Sequence, residues 1–159
     1  MLRAKVLTVS DGVADGTRDD KSGRACVEQL EAAGYEVVEH RVTADGVDLV
    51  ARVLRELTEE FAGLVVTTGG TGFGPRDCTP EGTRAVLDRD APGIAEAIRR
   101  VSDADGRGFG MLSRAVAGAR GATLICNLPG SANGAREGLD VLLPIAPHAL
   151  DLLAGGHPH

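Results

Sequence analysis

The sequence predicts an α/β fold, a three-layer sandwich with helices on both faces of a mostly parallel sheet. Two observations carry this: short apolar runs alternate with stretches of helical period along the chain, and glycines or prolines punctuate the joints. A third is the segment from Leu64 to Glu81, where an apolar strand runs through a glycine-rich loop into a helix start.

Taken in order, Ala4 to Val9 is the first strand, followed by a polar Gly/Asp loop and an amphipathic helix from about Ser22 to Ala33 that Gly34 stops. Tyr35 to Val42 is the second strand. The helix from Val47 to Phe61 places Val50, Val53, Leu54 and Leu57 on one face. Leu64 to Thr68 is strand three. Two helices follow the glycine loop, Pro80 to Leu87 and then Pro92 to Val101 with Ile94, Ala97 and Ile98 inward. Asp103 to Met111 is polar and Gly-rich and is expected to be a mobile loop. Ala115 to Ala119 and Ala122 to Leu128 read as strands pairing around Gly121. Pro129-Gly130-Ser131 then turns into a helical region, Ala132 to Leu153, broken at Pro144 and Pro147. Right-handed crossovers are expected throughout.

At 159 residues the chain suits one domain, residues 1–159, and its 43% hydrophobic content supports a substantial core. A net charge of −6 and 3% aromatic residues argue against nucleic acid as a partner. No apolar run reaches a membrane span and no signal peptide is visible, so a cytoplasmic address without membrane attachment is expected. Cys26, Cys78 and Cys126 have no C-x-x-C spacing and read as reduced thiols.

The loop Gly69-Gly70-Thr71-Gly72-Phe73-Gly74 leaves backbone N–H groups free to approach an anion. Thr79 reads as an N-cap, Pro80 as the first helical residue and Glu81 as a first-turn acid, so phosphate is the natural guest. Asp77 on the same loop would repel phosphate unless a divalent cation such as Mg²⁺ lies between them. A metal–nucleotide site is the reading. Parallel strands end on one edge, which gathers Ser10-Asp11, Asp45, Asp77 and Asp20-Lys21-Ser22-Gly23 there. Each acid alone also reads blandly: Asp11 as a turn former, Asp45 as an N-cap, Asp20 as a loop acid. Pro129-Gly130-Ser131 is a second strand-to-helix turn that Ser131 caps, and two such loops suit two phosphorylated molecules. Lys21, Arg76 and Arg114 are the nearby cations, or else solvated surface charges.

Other motifs fail. No G-x-x-x-x-G-K-[ST] is present, and glycines 70, 72 and 74 follow the third strand with the wrong spacing for a dinucleotide fingerprint. Asp103-Ala104-Asp105-Gly106 resembles a calcium loop, but its twelfth position is Arg114. His40, His148, His157 and His159 form no spaced ligand set, and Cys78 reads as a small buried filler.

Together, Thr8-Val9-Ser10-Asp11, Asp20-Lys21-Ser22-Gly23, Thr67 to Gly72, Arg76-Asp77-Cys78-Thr79-Pro80-Glu81, Leu112-Ser113-Arg114 and Asn127-Leu128-Pro129-Gly130-Ser131 resemble the molybdopterin adenylyltransferases of the MogA/MoaB type. The likeness spans nearly the whole chain, and its most specific part is the glycine loop followed by Arg-Asp-x-Thr-Pro. It implies a molybdopterin-binding-type fold, usually a homotrimer, that transfers AMP from Mg-ATP to the terminal phosphate of molybdopterin and releases pyrophosphate. A partner enzyme that inserts molybdate would consume the product. The family's two functional aspartates map to Asp45 and Asp77, as catalytic and Mg²⁺-holding residues. Substrate binding is expected at Ser10, Asp11, Gly69, Gly70, Thr71, Gly72, Ser113, Arg114, Pro129, Gly130 and Ser131. No general base is needed, because the attacking phosphate is already ionised. The family often continues Pro-Gly-Ser with Pro-Lys; here Ala132-Asn133-Gly134 follows, which removes a cation, and Arg107 is a candidate to compensate. The alternatives are the related molybdate-insertion module, a related module linked to nucleotide salvage, and a molybdopterin-binding or scaffold module with little or no turnover.

Overall fold

The computed structural model describes residues 1–102 and 106–158. Among these, thirteen regular helices and strands follow one another: β1 (Arg3–Val9), α1 (Asp11–Ala14), α2 (Lys21–Ala32), β2 (Glu36–Thr43), α3 (Val47–Thr58), β3 (Gly63–Thr68), α4 (Thr79–Arg84), β4 (Arg89–Asp90), α5 (Pro92–Ser102), β5 (Ala117–Arg120), β6 (Thr123–Leu128), α6 (Ala132–Leu142) and α7 (Ala146–Leu153). The strands form a six-stranded sheet in the order β2-β1-β3-β6-β5-β4. The first four strands in that order run parallel, whereas β5 pairs antiparallel with both of its neighbours, β6 and β4.

Strand periodicity divides the core between the two faces of the sheet. Ala4 and Val6 of β1, Leu64 and Val66 of β3 and Leu124, Cys126 and Leu128 of β6 pack with residues of α2, α5, α6 and α7. Leu7, Val9, Val65 and Ile125 point the other way, onto Val50, Val53, Leu54 and Leu57 of α3. Helices on both faces leave the central strands no solvent side, and every residue of β3 and of β6 is buried. A fully buried leucine such as Leu54 or Leu57 contributes about 1.5–3 kcal/mol relative to exposure.

Several expectations are corrected. The polar stretch after β1 contains α1, with Ser10 at its N-cap accepting from the Val13 N–H. The helix after the glycine loop ends at Arg84, not Leu87, and its cap position is Cys78; Thr79 is its first helical residue. Ala95 and Ile98 are the buried residues of α5, and Ala97 is half-buried. The expected β5–β6 pairing around Gly121 is present and antiparallel, with Arg120 opposite Thr123. β4 adds an edge strand that the sequence did not announce; β5 alone runs against the rest of the sheet, while β4, antiparallel to β5, runs in the same direction as β6. Pro147 opens α7 instead of breaking a helix. Asp103, Ala104 and Asp105 of the expected mobile, calcium-like loop and His159 lie outside the described residues; the end of that loop, expected to run to Met111, instead enters a 3₁₀ turn spanning Phe109–Leu112.

A ligand cavity at the sheet's carboxyl edge

Register alone brings the ends of three strands together. Thr8 of β1 lies beside Thr68 of β3, which lies beside Leu128 of β6, so the loops after all three leave the sheet as neighbours. Between them is a cavity of about 650 Å³ lined by residues 8–10, 17–22, 68–70 and 130–132, with Val13, Asp45 and Asp77. β1 connects outward to β2, and the chain then returns across β1 to β3. The cavity therefore sits at the topological switch point, where open α/β sheets hold ligands.

The glycine loop is fastened from behind. Thr79 donates from its hydroxyl to the Gly69 carbonyl at 2.8 Å and from its N–H to the Gly70 carbonyl at 3.1 Å. Arg114 takes the next two carbonyls, its N–H donating to Thr71 at 2.9 Å and its Nε to Gly72 at 2.8 Å. The loop's carbonyls are thus turned inward, and among the described residues no protein acceptor takes the N–H groups of Gly70, Thr71 and Gly72. Three unpaired donors in succession make an anion nest. Gly69 is different, because its N–H donates to Leu128 as a continuation of the sheet. Gly70 has φ +67, and a Cβ there would lie 2.3 Å from Thr79 Oγ1 and 3.0 Å from Asp45 Oδ1, so only glycine allows the loop, Thr79 and Asp45 to meet.

The second turn abuts the first. A Cβ on Gly130 would touch the Gly69 Cα at 3.2 Å, and Thr68 Oγ1 donates to the Pro129 carbonyl at 2.6 Å. Ser131 caps α6 by accepting from the Gly134 N–H at 3.0 Å. This eleven-residue helix points its N-terminus at the cavity.

Asp45 and Asp77 both line the cavity. Asp45 Oδ2 accepts from the Asp11 N–H at 2.9 Å, and Gly46, not Asp45, holds the cap position of α3. Burial is the chief cause that pushes the Asp45 carboxyl above its ordinary value, with the charges of Asp11 and Asp77 adding to it. Asp77 Oδ2 accepts from the Gly74 N–H at 2.9 Å. Each aspartate therefore commits one oxygen to a loop N–H and keeps the other for a ligand. Asp11 belongs to the wall and not to the cavity: Arg76 Nε donates to its Oδ2 at 2.8 Å, and that hydrogen bond holds its carboxyl below the usual range.

Of the residues singled out from sequence, Ser10, Gly69, Gly70, Asp45, Asp77, Gly130 and Ser131 line the cavity. Asp11, Thr71, Gly72, Ser113, Arg114 and Pro129 are not among its lining residues. The two arginines among the watched cations are spoken for. Arg76 holds Asp11 and donates to the Asp45 carbonyl at 3.0 Å, while Arg114 pairs with Glu81 and donates to the Asp77 carbonyl at 2.6 Å. Cys78 is half-buried at the α4 cap, less enclosed than a core filler.

Sequence reasoning missed a polar knot beside the cavity. Thr8 Oγ1 donates to Asp20 Oδ2 at 2.8 Å, and His40 Nε2 lies 3.0 Å from that hydroxyl and 3.1 Å from the same carboxylate oxygen. The threonine's single proton goes to Asp20, so His40 Nε2 carries a hydrogen and donates. Asp20 Oδ1 accepts from the Gly23 N–H at 2.9 Å and caps α2. Strand alternation, which puts His40 on one face of an edge strand, was the only available signal.

The family model described as a probable molybdopterin binding domain matches residues 5–148, on a fold whose switch-point cavity has just been located. The chain belongs to that family. It is similar to molybdopterin adenylyltransferase of Helicobacter pylori strain J99, 38% identical over 155 residues that cover 96% of this chain and 88% of the relative. It is also 40% identical over 158 residues to gephyrin of Dictyostelium discoideum, covering 93% of this chain but 22% of that longer protein. Among solved structures, the molybdopterin biosynthesis enzyme MoaB of Thermus thermophilus superposes with a TM-score of 0.89 at 46% identity, over 98% of each chain. The mixed, mostly parallel α/β architecture expected of the family is the one observed. Among the described residues no helix is long and apolar enough to cross a membrane.

Proposed function

We propose that residues 1–159 act as one domain that transfers AMP from Mg-ATP to the terminal phosphate of molybdopterin, releasing pyrophosphate. The observation that carries this reading is the sharing of one cavity by Asp45, Asp77 and the glycine-loop end, with the unpaired N–H groups of that loop beside them. The name of the Helicobacter pylori relative, which the chain matches over nearly its whole length, supports the same reaction.

Mg²⁺ fits the donors. It binds through one or two carboxylates and completes its shell with water and substrate phosphates, so a dedicated three-residue cluster is not needed, and none occurs among the described residues. Asp45 and Asp77 would hold it with their uncommitted oxygens. When bound, the ion neutralises phosphate charge. The N–H group of Gly70, which lines the cavity, donates to phosphate oxygens with the unpaired N–H groups of Thr71 and Gly72 next to it in the loop, and the Ser131-capped start of α6 offers a second anion site for the pterin side. Both substrates are thereby fixed with reacting groups adjacent, and the ionised pterin phosphate needs no base. The family resemblance also carries a cytoplasmic homotrimer that passes its product to a molybdate-inserting partner.

The test is pyrophosphate release on incubation with Mg-ATP and molybdopterin. Asp77→Asn is expected to lower turnover roughly a hundredfold or more, since metal-assisted charge stabilisation is worth several kcal/mol, while molybdopterin affinity changes less than about threefold. Equal loss of both in a folded variant would sink the assignment. A wild-type protein that binds the pterin yet releases no pyrophosphate is a scaffold.

A further inference from the structure

The cavity lining carries both signs of charge. Asp45 and Asp77 line it beside the glycine loop, and the segment from Thr17 to Ser22 contributes Asp19, Asp20 and the only two basic side chains among the lining residues, Arg18 and Lys21. Two anionic substrates need cations, and the arginines nearest in sequence to the glycine loop and its support are engaged: Arg76 with Asp11, Arg114 with Glu81. Arg18 and Lys21 are not. Among the described residues neither side chain makes a hydrogen bond or an ion pair.

Their freedom is unusual because acids surround them. Asp19, between the two, is held by Arg24 through both oxygens, at 2.6 and 2.7 Å. Asp20 gives one oxygen to the Gly23 N–H of α2 and the other to Thr8 and His40. Both carboxylates that would otherwise draw in Arg18 and Lys21 thus have hydrogen-bond donors of their own, and Lys21 acts on Asp19 only through its charge. A Cβ on Gly23 would lie 2.2 Å from Thr8 Oγ1 and 2.4 Å from Asp20 Oδ2, so glycine at that position is what admits the Thr8–Asp20 bond.

We infer that Arg18 and Lys21 are the phosphate-receiving pair of this chain, kept available by the hydrogen bonds that occupy Asp19 and Asp20. The inference rests on the adenylyl-transfer reading for the identity of its ligand, a phosphate group borne either by ATP or by molybdopterin. His40 and Arg24 act as positioning residues, since neither lines the cavity.

Calorimetric titration of the full chain with Mg-ATP and, separately, with molybdopterin tests it. Arg18→Gln and Lys21→Gln are each expected to weaken binding of one ligand about tenfold and the double variant about a hundredfold, with most affinity recovered in Arg18→Lys. Loss confined to Mg-ATP assigns the pair to the nucleotide phosphates, and loss confined to molybdopterin assigns it to the pterin phosphate. Arg24→Gln releases Asp19 and is expected to weaken the same ligand severalfold without touching it, and the loss grows smaller with added salt. A double variant that is folded by circular dichroism and binds both ligands within twofold of wild type overturns the inference, even if wild type releases pyrophosphate. Wild type that binds without turnover, with binding lost in the double variant, overturns adenylyl transfer and leaves the pair standing. Wild type that binds neither ligand overturns both.

Discussion

Asp45 sits where its own charge is unwelcome. It is 9% exposed, and burial, the largest influence, together with the charges of Asp11 and Asp77 raises its pKa despite the Asp11 N–H and Arg76. The native state therefore binds a proton at Asp45 more readily than the unfolded chain does. Asp45's contribution to stability falls as pH rises from the ordinary aspartate range, about 3.9, through its raised native value, and the penalty persists at neutral pH. Asp45→Asn removes the penalty and keeps an acceptor for the Asp11 N–H. It is expected to raise the thermal midpoint at pH 7, to lose that advantage below about pH 4, and to lose turnover by roughly a hundredfold or more. Thermal unfolding at both pH values checks this; a lower midpoint at pH 7 would show that the charge stabilises the fold. A carboxylate that costs the protein stability is consistent with the proposed role of Asp45, shared with Asp77, in holding a cation.

At the scale of elements, two helical glycines separate packing from propensity. Gly82 of α4 faces α3, where a Cβ would come 2.7 Å from Val50 Cβ, 2.8 Å from its Cγ1 and 2.9 Å from the Val47 carbonyl. Those atoms belong to a backbone and a stiff side chain, so Gly82→Ala is expected to destabilise by about 1–3 kcal/mol despite alanine's better helix propensity. Gly93 of α5 meets nothing within 4 Å, and Gly93→Ala is expected to stabilise by about 0.4–1 kcal/mol. Urea unfolding of the two variants measures opposite shifts; shifts of one sign would refute the packing argument. The same scale shows what sequence could reveal. The twelve-residue helices α2 and α3 span three turns and display their apolar period, whereas four-residue α1 and two-residue β4 are too short to show any. The caps split likewise: Ser131 was legible because its partner is Gly134, three residues on, but Thr79 spends its hydroxyl on Gly69, ten residues back.

Across the whole molecule, the cavity's walls come from the ends of β1, β3 and β6 and from the loop after β2, so its ligands bridge elements that are distant in the chain. Binding at this junction is expected to stabilise the fold globally. At Mg-ATP a hundredfold above its Kd, mass action adds about 2.7 kcal/mol, which for a chain of this size raises Tm by about 5–10 °C. Thermal scans with and without Mg-ATP measure it, and an unchanged Tm under saturating ligand would contradict nucleotide binding to the native cavity.

What the sequence determined by itself was local. The alternation of strands and helices, the glycine loop and the Ser131 turn rest on contacts a few residues long, so their signals lie contiguous in the chain. Convergence of Asp45 and Asp77 was also legible, because parallel strands share an edge. Only tertiary structure decided which charges remain free. Arg76 finds Asp11 at a separation of 65 residues and Arg114 finds Glu81 at 33, so two apparent ligand cations became braces, and Arg18 and Lys21 were left facing the cavity. Charges pair by distance in space, which the order of residues does not state.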